Sequence, residues 1–76
     1  MARKRNEKFL KKLGENIKKI RVSKGFTTRA FSDTADIAYS QVWKIETGLV
    51  DPSLTTLLAI CRTLEVKLEK IIPQED

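Results

Sequence analysis

Apolar residues recur at helical spacing along most of the chain, and polar or turn-forming residues cut that pattern into five runs. In the first run Phe9, Leu13, Ile17 and Ile20 share a side, with Leu10 beside them. Lys11, Lys12, Lys18, Lys19 and Lys24 occupy much of the remainder. Asn6 is a good N-cap, so the pattern predicts a helix from about Asn6 to about Ser23. Gly14 within it is expected to cost about 1 kcal/mol against alanine. Gly25 ends this run, and Phe26 to Gly48 follows as two short helices around a tight turn. Thr27 caps the first, whose apolar side is Ala30, Phe31, Thr34 and Ala35. Asp36, Ile37 and Ala38 interrupt the pattern, and aspartate is one of the few residues that tolerates a left-handed backbone. The second short helix buries Val42 and Ile45. It turns Ser40, Trp43, Lys44 and Thr47 away, because each lies about 200° from Val42 or Ile45 at 100° per residue. Gly48 closes it. Ser53 caps a fourth helix from Leu54 to about Leu64, with Leu57, Ile60, Cys61 and Leu64 inward and Leu54 and Leu58 toward the margin. Lys67 to Ile72 predicts a short fifth helix with Leu68, Ile71 and Ile72 inward, stopped by Pro73.

The pattern is all-α, and 76 residues allow one small domain with a modest core. The expected division is a basic tail or helix extension at 1–8, a helix-turn-helix domain at 9–73 and an acidic end at 74–76. No apolar run approaches the roughly 18 residues of a membrane span, and no apolar signal core follows the basic N-terminus. A cytoplasmic protein with no membrane partner is expected.

The chemistry of catalysis is missing. There is no histidine, no paired nucleophile and base, and no glycine-rich phosphate loop, so an enzyme is not expected. A single cysteine excludes an internal disulfide, and without histidine it leaves no zinc site. Cys61 reads as a small buried hydrophobe. No cofactor and no small-molecule effector domain are expected.

Charge changes the picture more. The formal net charge is +5, but it is unevenly spread. Residues 1–30 carry eleven Lys/Arg and two Asp/Glu, whereas residues 31–76 carry four and eight. A basic half on a small domain fits either a polyanion partner or a solvated face, and two short helices around a turn favour nucleic acid.

From Leu13 to Ile72 the chain resembles the phage-repressor-like (XRE/Cro type) DNA-binding domains. The resemblance rests on IKKIR at 17–21, Gly25, Ile37, IE at 45–46, Gly48, PSL at 52–54, TL at 56–57, Ile60, Leu64, Val66 and Leu68. It implies a compact five-helix bundle of the lambda-repressor-like kind. The implied function is a sequence-specific transcriptional regulator, of repressor or controller type, that binds operator DNA as a homodimer. The helix around 39–47 would enter the major groove.

Carried onto this chain, the resemblance makes Tyr39, Ser40, Trp43 and Lys44 base-reading candidates, with Gln41 on the flank and Thr47 on the same outer side. Lys44 is the best of them, since lysine can donate to guanine O6 and N7. Thr27, Thr28 and Arg29 stand at a helix N-terminus, where backbone N–H groups and the dipole favour a phosphate oxygen. Relatives often carry glutamine where Thr28 stands and a Ser or Thr cap where Ala38 stands. Arg21 and Glu46 match an ion pair that ties the first helix to the end of the third in relatives. Glu65 stands where relatives often have glycine. The loop Leu49-Val50-Asp51 departs from the pattern, since that loop often carries cations. Leu49, Val50, Leu54, Leu58 and Leu68 are the candidate dimer interface. Trp43 is unusual in such a helix and admits three roles: a wedge against bases and sugars, a partner-protein anchor, or a half-buried cover for the bundle. The alternative function is a protein-interaction module on the same fold, for example an antitoxin-type partner, using Trp43, Tyr39, Leu49 and Val50.

Overall fold

Asn6 opens the first helix by accepting the Phe9 amide on Oδ1 at 3.0 Å, and the chain then runs helically to Ser23. The computed structural model describes residues 6–74, so Met1–Arg5 of the expected basic tail and residues 75 and 76 of the acidic end lie outside the described residues. The elements are α1 (Glu7–Ser23), α2 (Thr28–Ala35), α3 (Tyr39–Glu46), α4 (Leu54–Leu64) and α5 (Leu68–Ile71). The fifth helix is one residue shorter at each end than the pattern predicts. Thr27 and Ser53 cap α2 and α4 by accepting the amides of Ala30 and Thr56, at 3.1 Å and 3.2 Å. Each cap satisfies an amide that helix geometry leaves without an internal partner.

Besides α1, which Gly25 (φ 85°) follows, three helices end through a left-handed residue. Asp36 (φ 59°) closes α2, Gly48 (φ 78°) follows α3, and Glu65 (φ 58°) closes α4. The amide beyond each folds back on the last turn: Ile37 to Ser32 O, Leu49 to Lys44 O and Val66 to Cys61 O, at 2.9–3.0 Å. Glu65 thus takes the left-handed conformation in place of the glycine common in relatives, which carries some strain.

The helices surround one core. α1 packs on α3 and α5, α2 on α3 and α4, and α4 on α5. Phe31, Ile17, Ile45, Ile60, Leu64, Ile71 and Val42 are its largest fully buried side chains. Asn16 Nδ2 donates to Ile71 O at 2.9 Å and tethers α1 to the last helix. The core differs from the sequence pattern on α1, on α2 and at Val50. On α1, Leu10 is buried and Phe9 and Ile20 only flank the cluster, because α1 turns Leu10, Leu13 and Ile17 toward α3 and α5. On α2 the inward set is Phe31, Ser32 and Ala35, while Ala30 and Thr34 are exposed. Ser32 tolerates burial because its hydroxyl donates to Arg29 O at 2.9 Å. Val50 and Leu68 are half-buried against this same core, so the chain's own bundle uses much of their apolar surface.

Gly14 has a role that helix propensity misses. A Cβ there would clash with the carbonyl oxygens of Ile45 and Glu46, the second only 2.5 Å away. The residue is what lets α1 lie directly against the end of α3.

Candidate nucleic-acid interface

α3 has two sharply different sides. Val42 and Ile45 are 1% and 2% exposed, whereas Tyr39, Ser40, Trp43, Lys44 and Thr47 are all exposed and Gln41 is half-buried. The outward set is that expected from 100° per residue. Trp43 is 54% exposed and is not among the side chains packed on the core cluster. Thr47 turns its hydroxyl back, donating to Trp43 O at 2.8 Å, which leaves its methyl group as the more available part.

The start of α3 is weakly fastened. Ala38 holds the N-cap position and offers no side-chain hydrogen bond. What lies over this first turn comes from α2: the Arg29 guanidinium carbon sits 4.9 Å from the centroid of the Tyr39 ring. A cation over an exposed ring contributes on the order of 0.5–1 kcal/mol. Beneath the pair, Arg29, Asp33, Asp36, Ala38 and Tyr39 border a shallow open depression between the two helices. Thr28 is half-buried and Arg29 exposed, at the end of α2 where the dipole is positive.

The end of α3 is firmly held. Arg21 Nε donates to Glu46 Oε2 at 2.6 Å and Nη2 to Oε1 at 3.2 Å, and Nη1 donates to Phe26 O at 2.7 Å. One guanidinium therefore joins α1, the segment before α2 and the last residue of α3. At Gly48 a Cβ would stand 2.9 Å from Lys11 Cα, so the backbones of α1 and the α3 terminus touch. Sequence periodicity misses the Gly14 contact, the Arg21 bond to Phe26 and the stacking of Arg29 on Tyr39. A signal for the first existed: Gly14 and Arg21 are seven residues apart, two turns along one face, and Arg21 was already assigned to α3.

The expected dimer residues divide. Leu49, Leu54 and Leu58 are 50%, 61% and 42% exposed, whereas Val50 and Leu68 pack on the core. Val22 on α1 is a further exposed apolar residue that the sequence pattern does not single out. Cys61 is buried, and desolvation pushes its thiol above the ordinary range, which keeps it protonated and unreactive. Among the described residues no helix is long and apolar enough to cross a membrane.

Comparison with known proteins agrees with this geometry. The model of the helix-turn-helix family matches residues 17–71. Over 60 residues the chain is 33% identical to the transcriptional regulator ClgR of Mycobacterium tuberculosis, a match taking in 79% of this chain and 54% of that protein. The chain thus spans about half the length of this relative. Among solved structures, the restriction-modification controller protein C.AhdI from Aeromonas hydrophila superposes with a TM-score of 0.81 at 22% identity, over 83% of this chain and 96% of that one. The clp gene regulator ClgR from C. glutamicum superposes with a TM-score of 0.78 at 21% identity, over 83% and 82%. At those identities the two superpositions speak to the fold alone.

Proposed function

The chain belongs to the helix-turn-helix family, and from that we propose that it is a sequence-specific transcriptional regulator that binds double-stranded DNA and reads the major groove with α3. The observation that carries the proposal is the outer face of α3. Tyr39, Ser40, Trp43, Lys44 and Thr47 are presented to solvent by a helix whose inner face is sealed and whose end is pinned by Arg21 and Glu46. On this reading Lys44 donates to a guanine edge, Ser40 and Tyr39 lie near the groove wall, and Trp43 makes an apolar contact with bases or sugars. Thr27, Thr28 and Arg29 stand over a phosphate. Arg29 and Tyr39 reach it together, since the ring already carries the guanidinium. The working unit is residues 9–73. Two copies pair about a two-fold axis through Leu49, Leu54 and Leu58, which puts two reading helices about 34 Å apart on one side of the duplex.

The second reading is a protein-interaction module, and the exposure of Trp43 and Tyr39, at 54% and 49%, is what favours it. Selection of bound duplexes from a random pool decides between the two. The DNA-reading function predicts a recovered consensus with inverted half-sites, and Lys44→Ala then relaxes the preference at one or two base pairs by about 1–3 kcal/mol. Recovery of no sequence, with no salt-dependent duplex binding, overturns it in favour of the module.

A further inference from the structure

Two glycines bring α1 against the C-terminal end of α3. A Cβ on Gly48 would meet Lys11 Cα at 2.9 Å and Lys11 N at 3.1 Å, and one on Gly14 would clash with the carbonyl oxygens of Ile45 and Glu46. Lys11 and Lys18 flank that contact on the outside. They lie three residues before and four residues after Gly14, so they share its side of the helix, and both are exposed. Neither ammonium is engaged by a hydrogen bond or ion pair with a described residue. Seven residues separate them, a rise of about 10 Å along one face, which lets each meet a different phosphate.

The loop on the other side of the same contact is poor in cations. Leu49, Val50 and Asp51 follow Gly48 with two apolar side chains and one acid. The last cation of α3 is Lys44, and the acid that meets α1 there, Glu46, is neutralised by Arg21. A phosphate backbone passing the end of α3 therefore finds positive charge on α1 and not on the loop. α1 also starts ten residues before the family match, at Glu7 against residue 17, so Lys11 belongs to a part of this chain that the family model does not include.

We propose that Lys11 and Lys18 are a phosphate-binding pair for duplex DNA, supplying from α1 the backbone contact that the 49–51 loop does not make. The proposal rests on α3 being the groove-reading helix. Point charges on flexible stems position the protein without reading bases, so the pair contributes affinity on every sequence and leaves sequence preference to α3.

The test is the salt dependence of binding by the full chain, measured by fluorescence anisotropy on a mixed-sequence duplex and on a selected one. The double variant Lys11→Gln, Lys18→Gln should flatten the slope of log affinity against log salt by about 0.9 for each phosphate lost. The affinity lost between about 50 and 200 mM salt then shrinks roughly tenfold, by the same factor on both duplexes. Lys11→Arg with Lys18→Arg should keep the wild-type slope. Lys67→Gln with Lys70→Gln removes the same charge from the α5 side and should also leave it unchanged. An unchanged slope in the α1 variant, or an equal loss in the α5 control, overturns the pair while the DNA-reading function stands. Absence of salt-dependent duplex binding by the wild-type chain overturns both.

Discussion

Arg21 Nε lies 2.6 Å from Glu46 Oε2, and the two side chains are 6% and 7% exposed. A pair so shielded gains from its geometry but leaves a costly charge behind when one partner is removed. Arg21→Ala and Glu46→Ala should each destabilise the domain, by roughly 3–5 kcal/mol. Arg21→Ala should be the worse of the two, since it also strips the Phe26 carbonyl of its donor. Combining them with apolar replacements, Arg21→Met with Glu46→Leu, should recover much of the loss. Urea denaturation of the apolar double variant checks the recovery. Wild type, Arg21→Ala, Glu46→Ala and the double alanine variant close a double-mutant cycle, in which simple additivity would reduce the pair to a surface contact.

Gly14 separates helix propensity from packing. Propensity alone says that Gly14→Ala stabilises α1 by about 1 kcal/mol. The carbonyl oxygens of Ile45 and Glu46 occupy the space that the methyl group needs. Backbone cannot swing aside as a side chain can, so the variant should lose stability, by about 1–3 kcal/mol or more. Thermal unfolding gives the sign directly, and a raised melting temperature would mean that α1 does not touch α3 there.

Ala38 offers the opposite opportunity. It is exposed and extended, at φ −56° and ψ 141°, and makes no cap bond. Ala38→Ser should stabilise the domain by about 1 kcal/mol by taking up an orphan amide at the start of α3. Amide hydrogen exchange should slow in the first turn of α3 and change little in α4. Unchanged exchange would show that Arg29 on Tyr39 already fixes that turn.

The dimer is best tested on α4. Leu54 and Leu58 lie one turn apart and are exposed, so Leu54→Glu with Leu58→Glu should leave the monomer folded. Cooperative binding to a full palindrome should be lost, with half-site binding kept. Val50 is a poor site for this experiment, because a glutamate there would enter the core. Sedimentation with and without duplex reads the assembly, and a one-to-one complex indifferent to the substitutions would exclude this interface.

What the chain determined by itself is local. Asn6, Thr27 and Ser53 cap the helices that their positions announce, Asp36 and Gly48 turn left-handed where the pattern breaks, and Val42 and Ile45 face inward. Each of these depends on residues within about one turn, where spacing and side-chain chemistry are sufficient. The outward set of α3 follows from the same arithmetic. What the tertiary structure decided depends on how helices distant in sequence meet. Periodicity cannot say whether Phe9 or Leu10 is nearer the axis of the bundle, or whether Ser32 or Ala30 is enclosed. It registers Gly14 as a weak spot in one helix, because the atoms that require it belong to another. It treats Val50 as a spare apolar group until the neighbouring helices are in place to cover it. The Arg29–Tyr39 stack and the Asn16–Ile71 bond likewise exist only once α2 meets α3 and α1 meets α5. Periodicity fixes directions about one helix axis, and only packing relates one axis to the next.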